Sequence, residues 1–425
     1  MSAEINIPES SNVPGVQVDG VALAVGFFFS FRLFIMLLSV RMFGTDPQTG
    51  VEIGLVLNIL LLVAVAFHSL GEVRFPIGQM LQLWPVRWAF VFLSFSCCSL
   101  IWTSTASLPA AIAYWIAMAA DVAIVILMLR AGRLTVVAKS LMKGYVLGAC
   151  AVAIIAWLLP AQSDLRLGDE EFLGPNAIGY LCAFALFFAQ YLAREKYGRW
   201  GAAALLLGVT LLRSLSKTTI IAFLAGGAFL LLRDKSMSRR TKLLLALAAA
   251  AIVAAFSSLL SSYFEIYANA GNQAETLTGR LGIWAYFLAE AVEQPWIGHG
   301  FHSVWQVVPP FGGDRFEARH AHNELLQQFY AYGVVGVCMF AGVYGSLLLQ
   351  LRKHTFRQRR TFFFAFLLFV LVRGLADTDA FDLSLPLWSI VLISMLASHE
   401  KASSHRIAEV PTQPRRSPLD PVLRV

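Results

Sequence analysis

Apolar stretches long enough to cross a bilayer recur along almost the whole 425-residue chain, and no other property restricts its fold as strongly. A helix needs about 20 mostly apolar residues to span the roughly 30 Å hydrocarbon core, where every backbone N–H and C=O must find a partner within the protein. The composition agrees: 58% of residues are hydrophobic and only 14% are charged, against about a quarter charged in soluble domains, and the mean hydropathy is +0.67. The spacing predicts an all-α polytopic membrane protein with about twelve transmembrane helices. They are expected at residues 21–40, 51–67, 86–102, 109–129, 142–160, 172–192, 199–213, 217–232, 242–260, 327–350, 361–375 and 384–397.

This reading divides the chain into a cytoplasmic tail (1–20), a first block of nine helices (21–260), a periplasmic loop (261–326), three further helices (327–397) and a second cytoplasmic tail (398–425). Basic residues set the orientation, because cytoplasmic connections retain Lys and Arg. With the N-terminus inside, the inner connections hold Arg130, Arg133, Lys139, Arg194, Lys196, Arg239, Arg240, Arg352, Arg357 and Arg359, among others. Both termini are then cytoplasmic, and the net charge of +7 is a topology signal. Its scatter over short loops excludes a nucleic-acid partner. The first twenty residues hold no Lys or Arg, so they lack the basic start of a cleavable signal, and the first apolar segment reads as a retained helix. Cys97, Cys98, Cys150, Cys182 and Cys338 all fall in apolar runs and read as packing residues.

The long outer loop contains a helix-like stretch, TGRLGIWAYFLAEAVE, opened by Thr278. Trp284, Trp296 and Trp305 argue against disorder, since disordered segments are poor in aromatic residues, and suit a lid lying at the membrane interface. The loop ends in ARHAHNELLQQ, which gathers Arg319, His320, His322, Asn323 and Glu324 immediately before an apolar run. A neutral imidazole near pH 7 can take a proton from an attacking hydroxyl, so His322 is a candidate general base; a structural interface histidine is the plainer reading. A metal pair with His320 is disfavoured, because i and i+2 side chains diverge on a helix and no third ligand follows at a familiar spacing.

Cations on the outer side point to an anion. Arg213 and Lys217 flank the tight turn RSLSK, where the free N–H groups of the next helix add to their charge, although each could instead snorkel to lipid head groups. Arg280 stands in the first turn of the loop helix, where the helix dipole gives it no advantage, so it reads either as a ligand contact or as a surface ion pair with Glu275 or Glu317. Arg32 and Asp121 lie mid-way along the first and fourth spans, and groups at that depth pair or face water. A structural bridge is expected, with Arg32 extending the anion site as the alternative. The outer loop RGLADTDAFD, with Arg373, Asp377, Asp379 and Asp382, lacks the Gly and distal Glu of a calcium hand. It reads as a solvated polar cap or a wall contacting sugar hydroxyls.

His322, Asn323, Leu326 and Gly333 match a pattern of His, Asn, two residues, Leu, six residues, Gly, and this pattern resembles the signature of the O-antigen ligase and polymerase superfamily. The likeness extends to GPNAIG (Pro175, Asn176), RSLSKTT, TGRLGIW and QPWIGHGF. The resemblance implies a metal-independent, inverting glycosyltransferase without cofactor, acting on the periplasmic face of a bacterial inner membrane. It further implies a glycan donor on undecaprenyl diphosphate, a glycan or lipid acceptor, and other polysaccharide export proteins as partners. Arg280 with Arg213 or Lys217 would hold the pyrophosphate and His322 would be the base, with Arg32, Asn323, His320 and Arg319 as supporting residues. Lys217 stands where the family often has Arg, so its phosphate contact would be a point charge rather than a bidentate fork. Polymerisation of lipid-linked repeat units is the expected activity; a ligase moving finished glycan to a lipid A core or other acceptor is the alternative within the class. A secondary transporter is the alternative outside it, although no symmetric halves are evident.

Overall fold

The computed structural model describes residues 17–408 apart from 72, 161, 163–164, 170–171, 196–197, 236–237, 256, 259–260, 263–276, 304–319, 354–356 and 379–382. Among the described residues the chain is all-helical: α1 (Gly20–Phe43), α2 (Pro47–His68), α3 (Ile77–Met80), α4 (Trp84–Ser99), α5 (Leu108–Ala131), α6 (Leu134–Leu158), α7 (Pro175–Arg194), α8 (Gly201–Arg213), α9 (Lys217–Arg233), α10 (Arg239–Ala255), α11 (Leu277–Glu293), α12 (Glu324–Arg352), α13 (Arg357–Gly374) and α14 (Leu387–Ala408). Each expected span falls on one of these helices; the short α3 and the loop helix α11 are additional. Among the described residues, six helices, α1, α2, α5, α6, α7 and α12, are long and apolar enough to cross a bilayer, and α8 and α14 carry shorter apolar segments. The protein is a multi-pass membrane protein.

Local signals set the helix ends. Asp19 caps α1 by accepting from Ala22 N at 3.0 Å, and Gly44 in the left-handed region closes it. Asp46 accepts from Thr49 N at 2.8 Å, just ahead of Pro47 at the start of α2. These contacts occupy groups that a helix end leaves unpaired.

The tightest packing joins α1 to α6. A Cβ on Gly144 would lie 1.9 Å from Leu23 O, and one on Gly148 would lie 2.6 Å from Phe27 O. Their four-residue spacing makes a groove of the small-xxx-small type, in which close backbone approach replaces the hydrophobic driving force that lipid cannot supply. Asp19 N donates to Ser140 Oγ at 2.9 Å, so the contacts advance together and the two helices run parallel. Their N-termini therefore share one end of the bundle, and Asp169 lies at the other, where it pairs with Arg41 at 3.0 Å.

The end holding the α6 N-terminus collects basic residues from three helices: Lys139 of α6 and Arg359 of α13 both pair with Glu195, at 3.1 and 2.7 Å, and Arg194 of α7 pairs with Asp234 at 2.6 Å. Deeper in the bundle, Tyr145, Phe184, Phe188, Phe366 and Trp388 form an aromatic core between α6, α7, α13 and α14, with ring centroids 4.9 to 6.4 Å apart. That core fixes the ends of α7 and α13, which carry part of the site described next.

Candidate active site

Five segments converge at the end of the bundle opposite the Lys139–Glu195–Arg359 cluster: the start of α7, the α8–α9 turn, the start of α11, residues 320–324 ahead of and opening α12, and the residues following α13. Asn323 caps α12, its Oδ1 accepting from Leu326 N at 3.0 Å and its Nδ2 donating to Leu375 O at 3.1 Å. The cap fixes His322 just outside the helix, with φ of 50°, a left-handed conformation that few side-chain-bearing residues adopt. In that conformation His322 N donates to His320 Nδ1 at 3.3 Å. Trp284 of α11 also holds this segment, donating from Nε1 to Ala321 O at 2.9 Å.

The expectation that His320 and His322 diverge is corrected here. They precede the helix rather than lying along it, and their ring centroids are 4.0 Å apart. Between them and α13 sits Asp377, expected either in a solvated polar cap or in a wall contacting sugar hydroxyls; its burial rules out the cap. Asp377 is 3% exposed and Arg373 likewise 3%. The Asp377 Oδ1 lies 3.5 Å from His322 Nδ1, and Oδ2 accepts from Arg373 Nη2 at 3.1 Å. Burial alone would raise the Asp377 carboxyl; the Arg373 guanidinium, with His322 and His320, outweighs it and holds the group well below the usual carboxylate range. His320 is pushed down to about 3, by burial first and then by His322, with Arg373 and Arg280 acting in the same direction against Asp377. It is neutral at physiological pH.

Arg280 projects from the first turn of α11 into the same place. Its Nη1 donates to Ala376 O at 2.5 Å and to Thr218 Oγ1 at 3.3 Å, so it links the residue before Asp377 to the first turn of α9, next to Lys217. Its Nε is buried with no hydrogen-bond partner among the described residues. An orphaned donor of that kind costs about 1–3 kcal/mol unless a ligand accepts from it. Arg213 is placed differently: it ends α8 and donates to Leu165 O. Arg32 is also apart from the cluster. Its Nη1 meets Asp121 Oδ2 at 2.6 Å, and Asn58 Nδ2 donates to the other carboxylate oxygen at 3.0 Å, which makes the mid-span bridge. Arg319, Glu275, Glu317, Asp379 and Asp382 lie outside the described residues.

Gly298 and Gly333 allow the QPWIGHGF loop to dock against α12. Gly333 interrupts α12 with φ of 63°, and the backbone groups released there bond to the loop: His299 N donates to Tyr330 O at 3.0 Å, Gly300 N to Ala331 O at 2.8 Å and Val334 N to Pro295 O at 2.7 Å. A Cβ on Gly333 would lie 2.4 Å from the Trp296 carbonyl carbon, and one on Gly298 would lie 2.5 Å from Ala331. A broken helix is tolerated at membrane depth when protein re-satisfies its backbone. The loop therefore docks onto the break, while Ile283, Phe287, Ala321 and Tyr330 form an apolar cluster binding α11 to α12. Together these contacts position both Arg280 and His322.

Residues 202–341 match the family model described as O-antigen ligase, a segment that contains the α8–α9 turn, Arg280, the docked loop, His322 and Gly333. That segment, about a third of the chain, is similar to the O-antigen ligase family. The chain is also 25% identical over 280 residues to the exopolysaccharide production protein ExoQ of Rhizobium meliloti, a match covering 60% of this chain and 63% of that relative. The chain thus spans less than two thirds of the length of the curated relative it matches.

Superfamily motifs alone did not single out three residues in the same cluster. Arg373 stacks on Tyr180 with its guanidinium 3.8 Å from the ring centroid, and Tyr180, on the GPNAIG helix, also donates to Ser384 O. Glu324 is buried, its Oε1 accepting from Tyr344 OH at 3.0 Å. The signal available in the sequence was the Arg373–Asp377 spacing of four at the end of an apolar span, which places both on one helical face.

His320, His322 and Asp377 have ligand atoms within 4.8 Å of one another, close enough for a divalent cation. The electrostatics oppose one: Asp377 already gives Oδ2 to Arg373, and Arg280 adds a second cation. The arrangement fits a cation-lined anion site next to a histidine better than it fits a metal centre.

Proposed function

We propose that the protein is a metal-independent glycosyltransferase facing the periplasm, which polymerises undecaprenyl-diphosphate-linked repeat units in exopolysaccharide or O-antigen synthesis. The observation that carries this reading is Arg280, whose buried Nε has no partner among the described residues and which reaches from the first turn of α9 to the residue before Asp377. Arg280 and Lys217 would take the pyrophosphate, because Lys217 adjoins Thr218, which Arg280 Nη1 reaches at 3.3 Å.

The reaction follows from that layout. The acceptor hydroxyl attacks the anomeric carbon as the bond to the diphosphate oxygen breaks. His322 takes the hydroxyl proton, and negative charge accumulates on the leaving diphosphate. Cations held in place before the reaction, in a site of low effective dielectric, stabilise that charge more than water would. Asp377, ionised beside Arg373, stabilises the imidazolium as it forms and orients the ring, leaving Nε2 as the proton acceptor.

A ligase moving finished glycan to a lipid A core sugar or another acceptor is the second reading, favoured by the O-antigen ligase description of the matching family. Arg280→Ala tests the shared part of both. With matched protein levels in nanodiscs, it is expected to weaken donor binding and lower turnover by about 10²-fold, the scale of losing one preorganised charge-stabilising donor. Unchanged donor affinity and turnover would remove Arg280 from the site.

A further inference from the structure

At the other end of the bundle, a cavity of about 410 Å³ is lined by His68, Ser69, Arg74, Arg133, Asp19 and Gln17, among others. It lies where α2 and α5 end and α1 and α6 begin. The chain after α2 turns back across the end of α5, with Arg74 N and Phe75 N donating to Arg130 O at 2.7 and 3.2 Å. That return brings Arg74 to the same cavity as Arg133, the residue that opens α6. His68, Arg74 and Arg133 are all exposed. Among the described residues of the lining, two arginines stand against one carboxylate, Asp19, which caps α1, and Arg133 donates to the neutral Gln17 Oε1 at 2.9 Å. The first turn of α6 has no side-chain cap, so its N–H groups add to the positive potential.

The surface leading to this cavity is apolar. Val56, Leu60, Val63 and Phe67 of α2 are 56, 58, 45 and 69% exposed, and their spacing of four, three and four puts them on one face of the helix. Leu70 and Val73 continue the apolar surface past the helix end, at 70 and 60% exposed. The stripe thus ends beside the cationic cavity, giving a surface with a hydrocarbon-facing run and a phosphate-sized basic end.

We infer that this cavity binds the phosphate of an anionic membrane phospholipid, with an acyl chain along the exposed face of α2. Basic pockets between helices at a membrane surface hold lipid phosphates, and the volume falls within the range of ligand pockets, about 300–1,000 Å³. This site is separate from the histidine cluster and does not depend on the activity proposed for it.

The test is native mass spectrometry of the delipidated full-length protein titrated with phosphatidylglycerol or phosphatidylcholine, alongside the Arg74→Gln/Arg133→Gln double variant. Glycerol 1-phosphate serves as a competitor carrying the headgroup chemistry without the chains. Phosphatidylglycerol is expected to bind about 30-fold more tightly than phosphatidylcholine, on the scale of two arginines acting on an anionic headgroup. The double variant is expected to lose that preference while unfolding at the same temperature as the parent in phosphatidylcholine nanodiscs. Equal affinity for the two lipids, or a preference retained in the double variant, would overturn the proposal. Displacement by glycerol 1-phosphate at concentrations similar to the lipid would assign the cavity to a soluble phosphate and also overturn the lipid assignment.

Discussion

Replacing Asp377 with Asn tests whether the His322–Asp377 pair acts in proton transfer. The carboxylate Oδ1 lies 3.5 Å from His322 Nδ1, so a full imidazolium there interacts with it by about 4.7 kcal/mol at an effective dielectric of about 20. A transition state carrying about half that charge gains about 2.4 kcal/mol, equivalent to about 50-fold in rate. Asn keeps an oxygen for Thr378 N, which donates to Asp377 Oδ1 at 3.1 Å, but leaves Arg373 buried without its carboxylate. Breaking a buried pair costs about 3–5 kcal/mol, so stability must be read separately. Arg373→Met provides that control, because it disturbs the same ion pair while leaving Asp377 facing His322. The assay is turnover of undecaprenyl-diphosphate oligosaccharide in nanodiscs, with kcat and KM resolved and folded protein quantified. Asp377→Asn is expected to lower kcat about 50-fold with KM within a few-fold, and Arg373→Met to lower kcat less at equal folded protein. Equal kcat in Asp377→Asn and the parent would refute the pairing, and so would a loss confined to KM.

Lys217→Ala is expected to weaken donor binding more than Arg213→Ala does, since Lys217 adjoins Thr218, which Arg280 reaches; isothermal titration with a soluble prenyl diphosphate would rank the two. His320 has its pKa depressed to about 3, so between about pH 6.5 and 3 the unfolded chain binds the extra proton and stability falls as pH falls, by at most about 1.4 kcal/mol per unit. His320→Gln is therefore expected to flatten the decline in unfolding temperature between pH 7 and 5, and an unchanged slope would contradict the assignment. Gly144→Leu is expected to reduce folded protein several-fold, because even a Cβ would lie 1.9 Å from Leu23 O; Gly54→Leu, where nothing lies within 4 Å, is the matched control. Wild-type yield of Gly144→Leu by fluorescence-detected gel filtration would show that α1 and α6 do not pack this way.

The helices were legible because apolar length is a local property: each expected span coincides with a helix, and α11 follows the stretch opened by Thr278. His322, Asn323 and Gly333 were legible as a spacing, but the reason for the spacing was not. It needed the structure to show that Asn323 caps α12 and that Gly333 breaks it where the 295–300 segment docks. The solvated-cap reading of Asp377 and Arg373 failed for a different reason. Polar residues after an apolar span usually face solvent, and only the fold brings them against His322 and Tyr180, far away in sequence. The divergence expected of His320 and His322 assumed helical geometry that begins just after them.

The most direct test of the account is the mass of the products formed when the purified protein in nanodiscs receives undecaprenyl-diphosphate oligosaccharide, with His322→Ala in parallel. Products of two or more repeat units still carried on the lipid diphosphate, absent with the variant, are the predicted result. Undiminished product from His322→Ala, or no transfer from the lipid-linked donor to any supplied acceptor, would contradict it.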